Sequence, residues 1–441
     1  MTRLDDRLVE EIYRAGDKRQ KIPRGLYCQE LSRLIGRLHD ALTCARRAQR
    51  RIFTDLIEFF RTGDQKAFEQ ANQSMLSEQF DTEFYVGFVD TGLDPRKVKA
   101  IFSGVVGSLD RPNTSRVTSL VRQAQHFEDG MPWAAEYKRK WGSLPVALAV
   151  QLIVSVRRDA QEHGPGLRLF SSDRRADSSP QKILIFSNVV EAYHQAIGTR
   201  IGREFVVPKI RTAVMENLEQ ILFVRSAIRE IFGRDLGQKS VVALRKLRGV
   251  KDQIEEIKAE LVSLWLLADP KTGEIGLLTG RDAVLAAFQY YVAELIVSQI
   301  LIDDESVRKS TVLAKRILAR YLVEKAKVVQ FTEIEGKLYP QITDLIEFKK
   351  TLADLLAKTQ KILANGDRRT ALRLVRKYSK PAQWPGLEEI IRRAKVAGLK
   401  KRHVYVMPKL KPHFNPLGKV INVSISYEET FEQQMMRYRP Y

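Results

Sequence analysis

Apolar residues recur at helical spacing over most of the chain. Leu31, Ile35 and Leu38 follow this spacing, as do the apolar positions between Ile52 and Phe60, so residues 1–75 predict helices. From about residue 208 to 395 the sequence predicts helices almost throughout. The long periodic runs there are Val214–Phe232, Leu244–Leu267, Ala283–Leu301, Thr311–Val328 and Thr343–Leu363. Gly366 and Asp367 then predict a helix stop followed by the N-cap of a helix that ends at Tyr378.

Strand-like alternation of apolar and polar residues is confined to shorter regions. It occurs within residues 80–110 and 143–190 and again after Gly398, and Phe431–Tyr438 predicts a short final helix. The predicted strands outside residues 80–110 are Val146–Val156, Ile183–Phe186, Val404–Pro408 and Val420–Ile425, and the polar stretch 171–180 predicts a loop. This mixture of segregated helices and strands predicts an α+β fold.

Shifts in these patterns divide the chain into four predicted parts. They are an N-terminal helical segment at 1–75, a β-containing lobe at 76–205, a helical lobe at 206–398, and C-terminal strands at 399–441 that return to the β-containing lobe. A chain of 441 residues is long enough for two or more lobes.

The composition limits the class of protein. No run of eighteen apolar residues occurs, so no membrane span is expected and the chain should be soluble. Cys28 and Cys44 are the only cysteines, which favours an intracellular, reducing compartment such as the cytoplasm or an organelle matrix. No glycine-rich nucleotide-binding motif follows a predicted strand, and no cofactor is expected.

The chain is strongly basic, with 74 Lys and Arg against 53 Asp and Glu and a net charge of +21. Such an excess favours a polyanion, RNA first, or an acidic protein surface as partner. Arg46, Arg47, Arg50 and Arg51 form a dense cluster that would suit a phosphate backbone. Two alternatives remain: the charge is a compositional bias of the source, and the cluster is a solvated helix face.

A pair of motifs carries the candidate chemistry. The first is Arg229-Glu230-Ile-Phe-Gly-Arg234, and the second, about twenty residues later, is Glu255-Glu256-Ile-Lys-Ala-Glu. The first has the form of a zinc-peptidase helix in which Arg stands where each histidine ligand would be. Protonated Arg has no lone pair to offer a metal ion, and the six histidines contain no i, i+4 pair on a predicted helix.

These motifs resemble those of the dipeptidyl peptidase III family, HExxGH followed by EE-x-R-A-[DE]. Three further stretches are similar to family segments and occur in the same order: Tyr85–Pro95, Phe127–Trp133 and Ile185–Tyr193. The resemblance implies a two-lobed fold in which one lobe contains a β-barrel, the other is mostly helical, and a cleft lies between them.

The resemblance also assigns roles, most of which this sequence does not keep. The zinc histidines correspond to Arg229 and Arg234, whereas the general-base Glu and the third zinc ligand are retained as Glu230 and Glu256. The Glu that holds a substrate amino terminus becomes Asp90, so Glu230 and Asp90 are expected to be vestigial. Asn188 and Arg402 are positions that could still contact a peptide.

The sequence therefore predicts an inactive dipeptidyl peptidase III-like protein without metal, reused as a basic structural or binding subunit of a large, RNA-containing assembly. One alternative is a module that binds short peptides in the old substrate cleft. Another is an active dipeptidyl peptidase with an altered site. We also expect Arg229 or Arg234 to form an ion pair with Glu256, Glu230 or Glu255, because an unpaired buried Arg would be costly.

Overall fold

A computed structural model describes residues 2–4, 7–9, 12–90, 101–156, 164–170, 181–279, 281–300, 310–399 and 405–437. The predicted loop at 171–180 and the candidate residue Arg402 lie outside the described residues. Asp90 is described only as the last backbone position of a strand.

Helices and strands both contribute to the described chain, and the predicted α+β class is confirmed. The helices are α1 Cys28–Cys44, α2 Arg47–Thr62, α3 Gln65–Ser77, α4 Arg111–Arg122, α5 Ala124–Asp129, α6 Ser187–Tyr193, α7 Thr199–Phe205, α8 Pro208–Phe232, α9 Val241–Lys246, α10 Lys251–Leu267, α11 Pro270–Glu274, α12 Arg281–Ile300, α13 Ser310–Arg320, α14 Leu345–Asn365, α15 Arg368–Tyr378, α16 Leu387–Val396 and α17 Phe431–Arg437. The strands are β1 Thr2–Leu4, β2 Arg7–Val9, β3 Thr82–Asp90, β4 Ile101–Leu109, β5 Val146–Val156, β6 Gly166–Phe170, β7 Gln181–Phe186, β8 Val329–Ile334, β9 Lys337–Ile342, β10 Lys409–Phe414 and β11 Val420–Ser426.

The central sheet has the strand order β3-β4-β5-β7-β6. Its pairs are antiparallel except for β5 and β7, which run parallel. The order of the described strands is linear, and the β-barrel implied by the resemblance stays an expectation.

Alternation along β5 and β7 places a separate apolar core on each face of this sheet. Ala147 and Ile183 belong to the larger core, which continues through α4, α5 and the helices from α6 to α16. Their neighbours Leu148 and Leu184 face the smaller core, which contains α1, α2 and α3. The sheet is therefore a layer between the N-terminal helices and the helical part of the chain.

Most predicted helices are present, but the run Leu244–Leu267 was wrong as a single helix. It is divided between α9 and α10, and the break contains Gly249 in the left-handed region at φ +87°. The prediction of helix almost throughout 208–395 also missed the β8-β9 hairpin. Its turn contains Glu335 and Gly336, both at positive φ.

The C-terminal segment also differs from the prediction. The predicted strand Val404–Pro408 was wrong for its described part, since residues 405–408 are extended without strand pairing and the strand begins at Lys409. Tyr405 and Met407 pack in the smaller core, so this segment does return to the sheet. The strands β10 and β11 pair with each other as a separate hairpin. The four predicted domain boundaries stay predictions.

The cysteines and the helix lengths relate to two of the predictions. Cys28 and Cys44 are free thiols at opposite ends of α1, about 24 Å apart at the usual helical rise. Among the described helices, none has the length and apolar character needed to cross a membrane.

Candidate site: a buried arginine–glutamate cluster

The two motifs meet where the C-terminal end of α8 crosses α10. Gly233 makes this crossing possible, because a Cβ there would lie 2.7 Å from Ala259 Cβ on α10. Two small residues at the crossing let the helix backbones approach closely. Arg229 and Arg234 therefore stand on one side of the contact, and Glu256 and Glu260 lie within reach on the other.

Arg229 is the centre of the cluster and donates to three carboxylates. Its Nη1 lies 2.8 Å from Glu230 Oε1 and its Nε lies 2.9 Å from Glu260 Oε1. Its Nη2 donates to Glu256 Oε2. The Arg229 side chain is 19% exposed and that of Glu256 is 2% exposed, so this ion pair is largely removed from water. The predicted ion pair of Arg229 with Glu256 and Glu230 is confirmed.

Arg234 is the second partner of Glu256, because its Nη2 donates a hydrogen bond to Glu256 Oε1. Each oxygen of this carboxylate thus receives a hydrogen bond from a different guanidinium group. The Arg234 side chain is 55% exposed, so this second pair faces solvent. Glu255, the neighbouring acid, is instead paired with Lys239 and Lys251 at 3.1 and 3.6 Å.

The pKa shifts agree with a cluster held together by opposite charges. Burial lowers the pKa of Arg229, but Glu260, Glu230 and Glu256 outweigh it, and the pKa is raised well above its ordinary value. The pKa of Arg234 is also raised, because Glu256 outweighs the effect of burial. Both guanidinium groups therefore stay charged at neutral pH.

The cluster is joined to the central sheet through β6. Arg168 donates to the carbonyl oxygen of Glu230 and pairs with Asp235, just beyond the end of α8. Gly166, on the same strand, allows Glu230 to approach, because a Cβ there would lie 3.1 Å from the Glu230 Cγ. The sheet thus fixes the end of α8 that carries the first motif.

A second buried polar group supports the loop after Arg234, and the sequence analysis missed it. Glu128 is fully buried; it accepts from the backbone N–H of Gly237 at 2.8 Å and from Trp133 Nε1 at 3.3 Å. Burial raises the pKa of Glu128. Lys258, also fully buried, donates to the carbonyl oxygen of Leu236, and burial lowers its pKa. Glu128 and Gly237 lie 109 positions apart in the sequence, so only the fold reveals the group.

One turn before Arg229 on α8, Arg225 forms another missed cluster. It pairs with Glu294 of α12 at 2.5 Å, and Tyr193 donates to the same carboxylate at 2.8 Å. The Nζ of Lys315 lies 3.5 Å from Glu294 Oε1. Burial raises the pKa of Glu294, but Arg225 and Lys315 outweigh it and lower the pKa to about 2. Arg225 and Arg229 thus place two paired guanidinium groups one turn apart on α8.

Asn188, a predicted peptide contact, is buried and bonded within the protein. Its amide oxygen accepts from the N–H of Leu152 at 2.8 Å, and its Nδ2 donates to the Leu152 carbonyl at 3.0 Å. The Nδ2 also reaches the Tyr427 hydroxyl at 2.7 Å. These bonds join α6 to β5 and to the C-terminal segment. Peptide binding by Asn188 stays a prediction, and it would require this side chain to exchange its present partners.

The predicted arginine cluster lies exposed at the start of α2. Arg46 pairs with Asp81 at 3.0 Å, and Arg50 Nε donates to the carbonyl oxygen of Ala45 at 3.1 Å. Part of the cluster's hydrogen-bonding capacity is therefore used internally, while Arg47 and Arg51 extend into solvent.

Comparison with known proteins bears on the fold of the chain. The sequence model of peptidase family M49 matches residues 5–145, a region that precedes the arginine–glutamate cluster. The structure of DPP III from Caldithrix abyssi is similar with a TM-score of 0.76 and 18% identity, covering 92% of this chain and 74% of that one. Dipeptidyl-peptidase III from Corallococcus sp. strain EGB is similar with a TM-score of 0.67 and 17% identity, covering 86% and 68%. No curated protein matches the sequence.

The chain is thus an α+β protein with the dipeptidyl peptidase III fold. This confirms the resemblance to the dipeptidyl peptidase III family at the level of the fold, and the family model covers residues 5–145 without reaching the two motifs.

Proposed function

We propose that this chain is a catalytically inactive relative of dipeptidyl peptidase III that serves as a basic structural or binding subunit of a larger, RNA-containing assembly. One observation supports the proposed lack of peptidase activity. Both oxygens of Glu256 accept hydrogen bonds from guanidinium groups, Oε2 from Arg229 and Oε1 from Arg234. On the resemblance, Glu256 is the residue that would ligate zinc.

The residues at this position do not fit a zinc ion. Zinc sites need neutral imidazole, thiolate or carboxylate donors with free lone pairs. Arg229 and Arg234 have none and stay positively charged, so they repel a dication. Among the described residues, no group of three or more His, Cys, Asp and Glu side chains is placed to hold a metal ion.

Glu230, the counterpart of the general base, is also engaged. Its Oε1 accepts from Arg229 at 2.8 Å. In the family's chemistry this carboxylate would take a proton from a zinc-activated water, and activation requires the metal. Arg229 instead serves as a fixed counter-charge for Glu230, Glu256 and Glu260, which gives the old site a structural role.

The role as a subunit is supported by the β10-β11 hairpin. Phe414, Leu417 and Ile421 are 58%, 91% and 66% exposed. Other exposed apolar residues of the hairpin and its flank are Leu410, Val420, Val423, Ile425 and Tyr427. Two-stranded hairpins are marginal alone, and exposed apolar patches commonly mark interaction surfaces. The net charge of +21 adds an attraction for polyanions.

The experiment is to express the tagged full-length chain in its source cells and follow its sedimentation. We expect it to sediment with a large particle that contains RNA, and RNase treatment should release it to lighter fractions. The triple variant Phe414→Ser, Leu417→Ser and Ile421→Ser should sediment as free protein while keeping its far-UV circular dichroism spectrum. The matched control is Ile346→Ser, which removes an apolar side chain that is 78% exposed on α14.

Free wild-type protein in every gradient would contradict the subunit role. If the wild type sediments with a large particle that RNase leaves intact, the partner is an acidic protein assembly instead of an RNA-containing one.

A further inference from the structure

The outer face of α15 carries a basic surface separate from the predicted Arg46 to Arg51 cluster. The inner face is apolar, because Ala371, Leu374 and Tyr378 are buried. The outer positions are all exposed and all basic: Arg368, Arg369, Arg373, Arg376 and Lys377. The spacing of three and four residues places them on one side of the helix.

A second basic segment adjoins the N-terminal end of α15. Arg245, Lys246 and Arg248, at the end of α9 and in the turn after it, are exposed. The two segments meet at Gly366, where a Cβ would lie 2.6 Å from the carbonyl oxygen of Ala243 and 3.1 Å from Lys246 Cβ. We call these eight residues, which lie on α15, at the end of α9 and in the turn after α9, the α15 basic surface.

Several exposed cations of the protein are paired with acids in salt bridges, and among the described residues those of this surface are not. Elsewhere, Arg33, Arg37 and Lys350 each form a salt bridge with an acid three residues away. Within the described part of the chain, no salt bridge involves a residue of the α15 basic surface. The acid next to it, Asp367, caps α15 by accepting from the N–H of Thr370 at 3.0 Å. Arg373 interacts electrostatically with Asp367 and Lys377 with Glu324, but eight cations outnumber these two acids and the surface stays positively charged.

We propose that the α15 basic surface binds the phosphate backbone of a nucleic acid. Six of its eight residues are Arg, whose planar guanidinium can donate two hydrogen bonds to one phosphate. Arg369, Arg373 and Lys377 follow one another at about 6 Å along the helix axis, so one strand can contact several of them together. None of the exposed large apolar side chains of the described protein lies on α15, and insertion into a bilayer would need some.

This inference rests on the proposed function. It places the binding site for the polyanion on the α15 basic surface and not on the Arg46 to Arg51 cluster. The test measures fluorescence anisotropy of a labelled single-stranded RNA with full-length protein between 50 and 200 mM salt. The first variant is Arg369→Gln, Arg373→Gln, Arg376→Gln and Lys377→Gln. Gln is a good helix former, so α15 should persist. The matched control removes the same charge from Arg46, Arg47, Arg50 and Arg51.

For a single strand, each phosphate contact contributes about 0.7 to the log–log salt slope, so losing four contacts lowers the slope by about 3. We expect a loss of this order in the α15 variant and a much smaller one in the α2 control. Equal losses in both variants, or a larger loss in the control, would overturn the assignment to α15 and leave the polyanion role standing. No RNA binding by the wild type at 50 mM salt would overturn both. Binding to anionic lipid vesicles with no binding to RNA would also overturn the assignment.

Discussion

Replacing Glu256 with Gln should destabilise the protein because it removes the carboxylate that Arg229 and Arg234 share. Gln keeps the volume of the side chain and one acceptor oxygen, so the change acts mainly on charge. The Glu256 side chain is 2% exposed and that of Arg229 is 19% exposed. Water therefore cannot readily replace the lost partner of Arg229.

The size of the expected loss of stability follows from how exposed each ion pair is. Removing one partner of a buried ion pair costs about 3–5 kcal/mol. Arg229 keeps Glu230 and Glu260, so we expect about 3 kcal/mol, the lower end of that range. Arg234 is 55% exposed and can turn into solvent, so its pair contributes about 1 kcal/mol or less.

The assay is urea denaturation at neutral pH, followed by circular dichroism. The control is Glu347→Gln, which breaks an exposed pair with Lys350 and should change stability by less than about 1 kcal/mol. A double-mutant cycle with Arg229→Met then isolates the coupling of Arg229 to Glu256. If Glu256→Gln is as stable as the control, the cluster does not hold α8 against α10 and the structural role proposed for it is wrong.

Three other changes test the surrounding structure. The pKa of Glu294 is about 2 in the folded protein, against an ordinary value of 4.5. Its pairing with Arg225 therefore stabilises the fold fully above pH 4.5, and this stabilisation is lost as the pH falls toward 2. The shift corresponds to about 3 kcal/mol, and the gap in stability between wild type and Glu294→Gln should narrow over that pH range. Lys182→Met should cost about 3–5 kcal/mol in urea denaturation, because it leaves the buried Glu83 without its partner at 2.6 Å. Gly233→Ala should destabilise by about 1–3 kcal/mol through overpacking against α10.

Controls for these changes come from the same chain. Lys66→Met, at an exposed position of α3, should alter stability by less than about 0.5 kcal/mol. Gly36 lies within α1 and a Cβ there would meet no atom within 4 Å, so Gly36→Ala should stabilise by about 0.5–1 kcal/mol. A constant gap for Glu294→Gln from pH 7 to pH 2 would show that its carboxylate is not the titrating partner of Arg225.

The sequence predicted most of the helices because their apolar periodicity matches the cores that form. Val214–Phe232 lies within α8, and Gly366 and Asp367 end α14 and cap α15 as predicted. The β8-β9 hairpin was missed because it is short and lies between long helices. The position of β10 was misjudged because the apolar residues of 405–408 pack against the sheet core instead of pairing as a strand.

The pairing of Arg229 with Glu256 was predicted because two short motifs resembled helices that meet in a known family. Glu260 was not predicted as a partner, although it lies one turn after Glu256 on α10 and accepts from Arg229 Nε at 2.9 Å. The Arg225–Glu294 pair joins residues far apart in sequence. No local pattern marks such a pair, and only the packing of α8 against α12 brings it together.

The central claim is that a guanidinium cluster occupies the position of the family's zinc site. The most direct measurement is elemental analysis of the full-length protein after equilibration with zinc and removal of loosely bound metal, beside the double variant Arg229→His and Arg234→His. We predict no stoichiometric zinc in the wild type and a measurable gain in the double variant, in which imidazoles join Glu256. About one zinc per wild-type chain would contradict the claim.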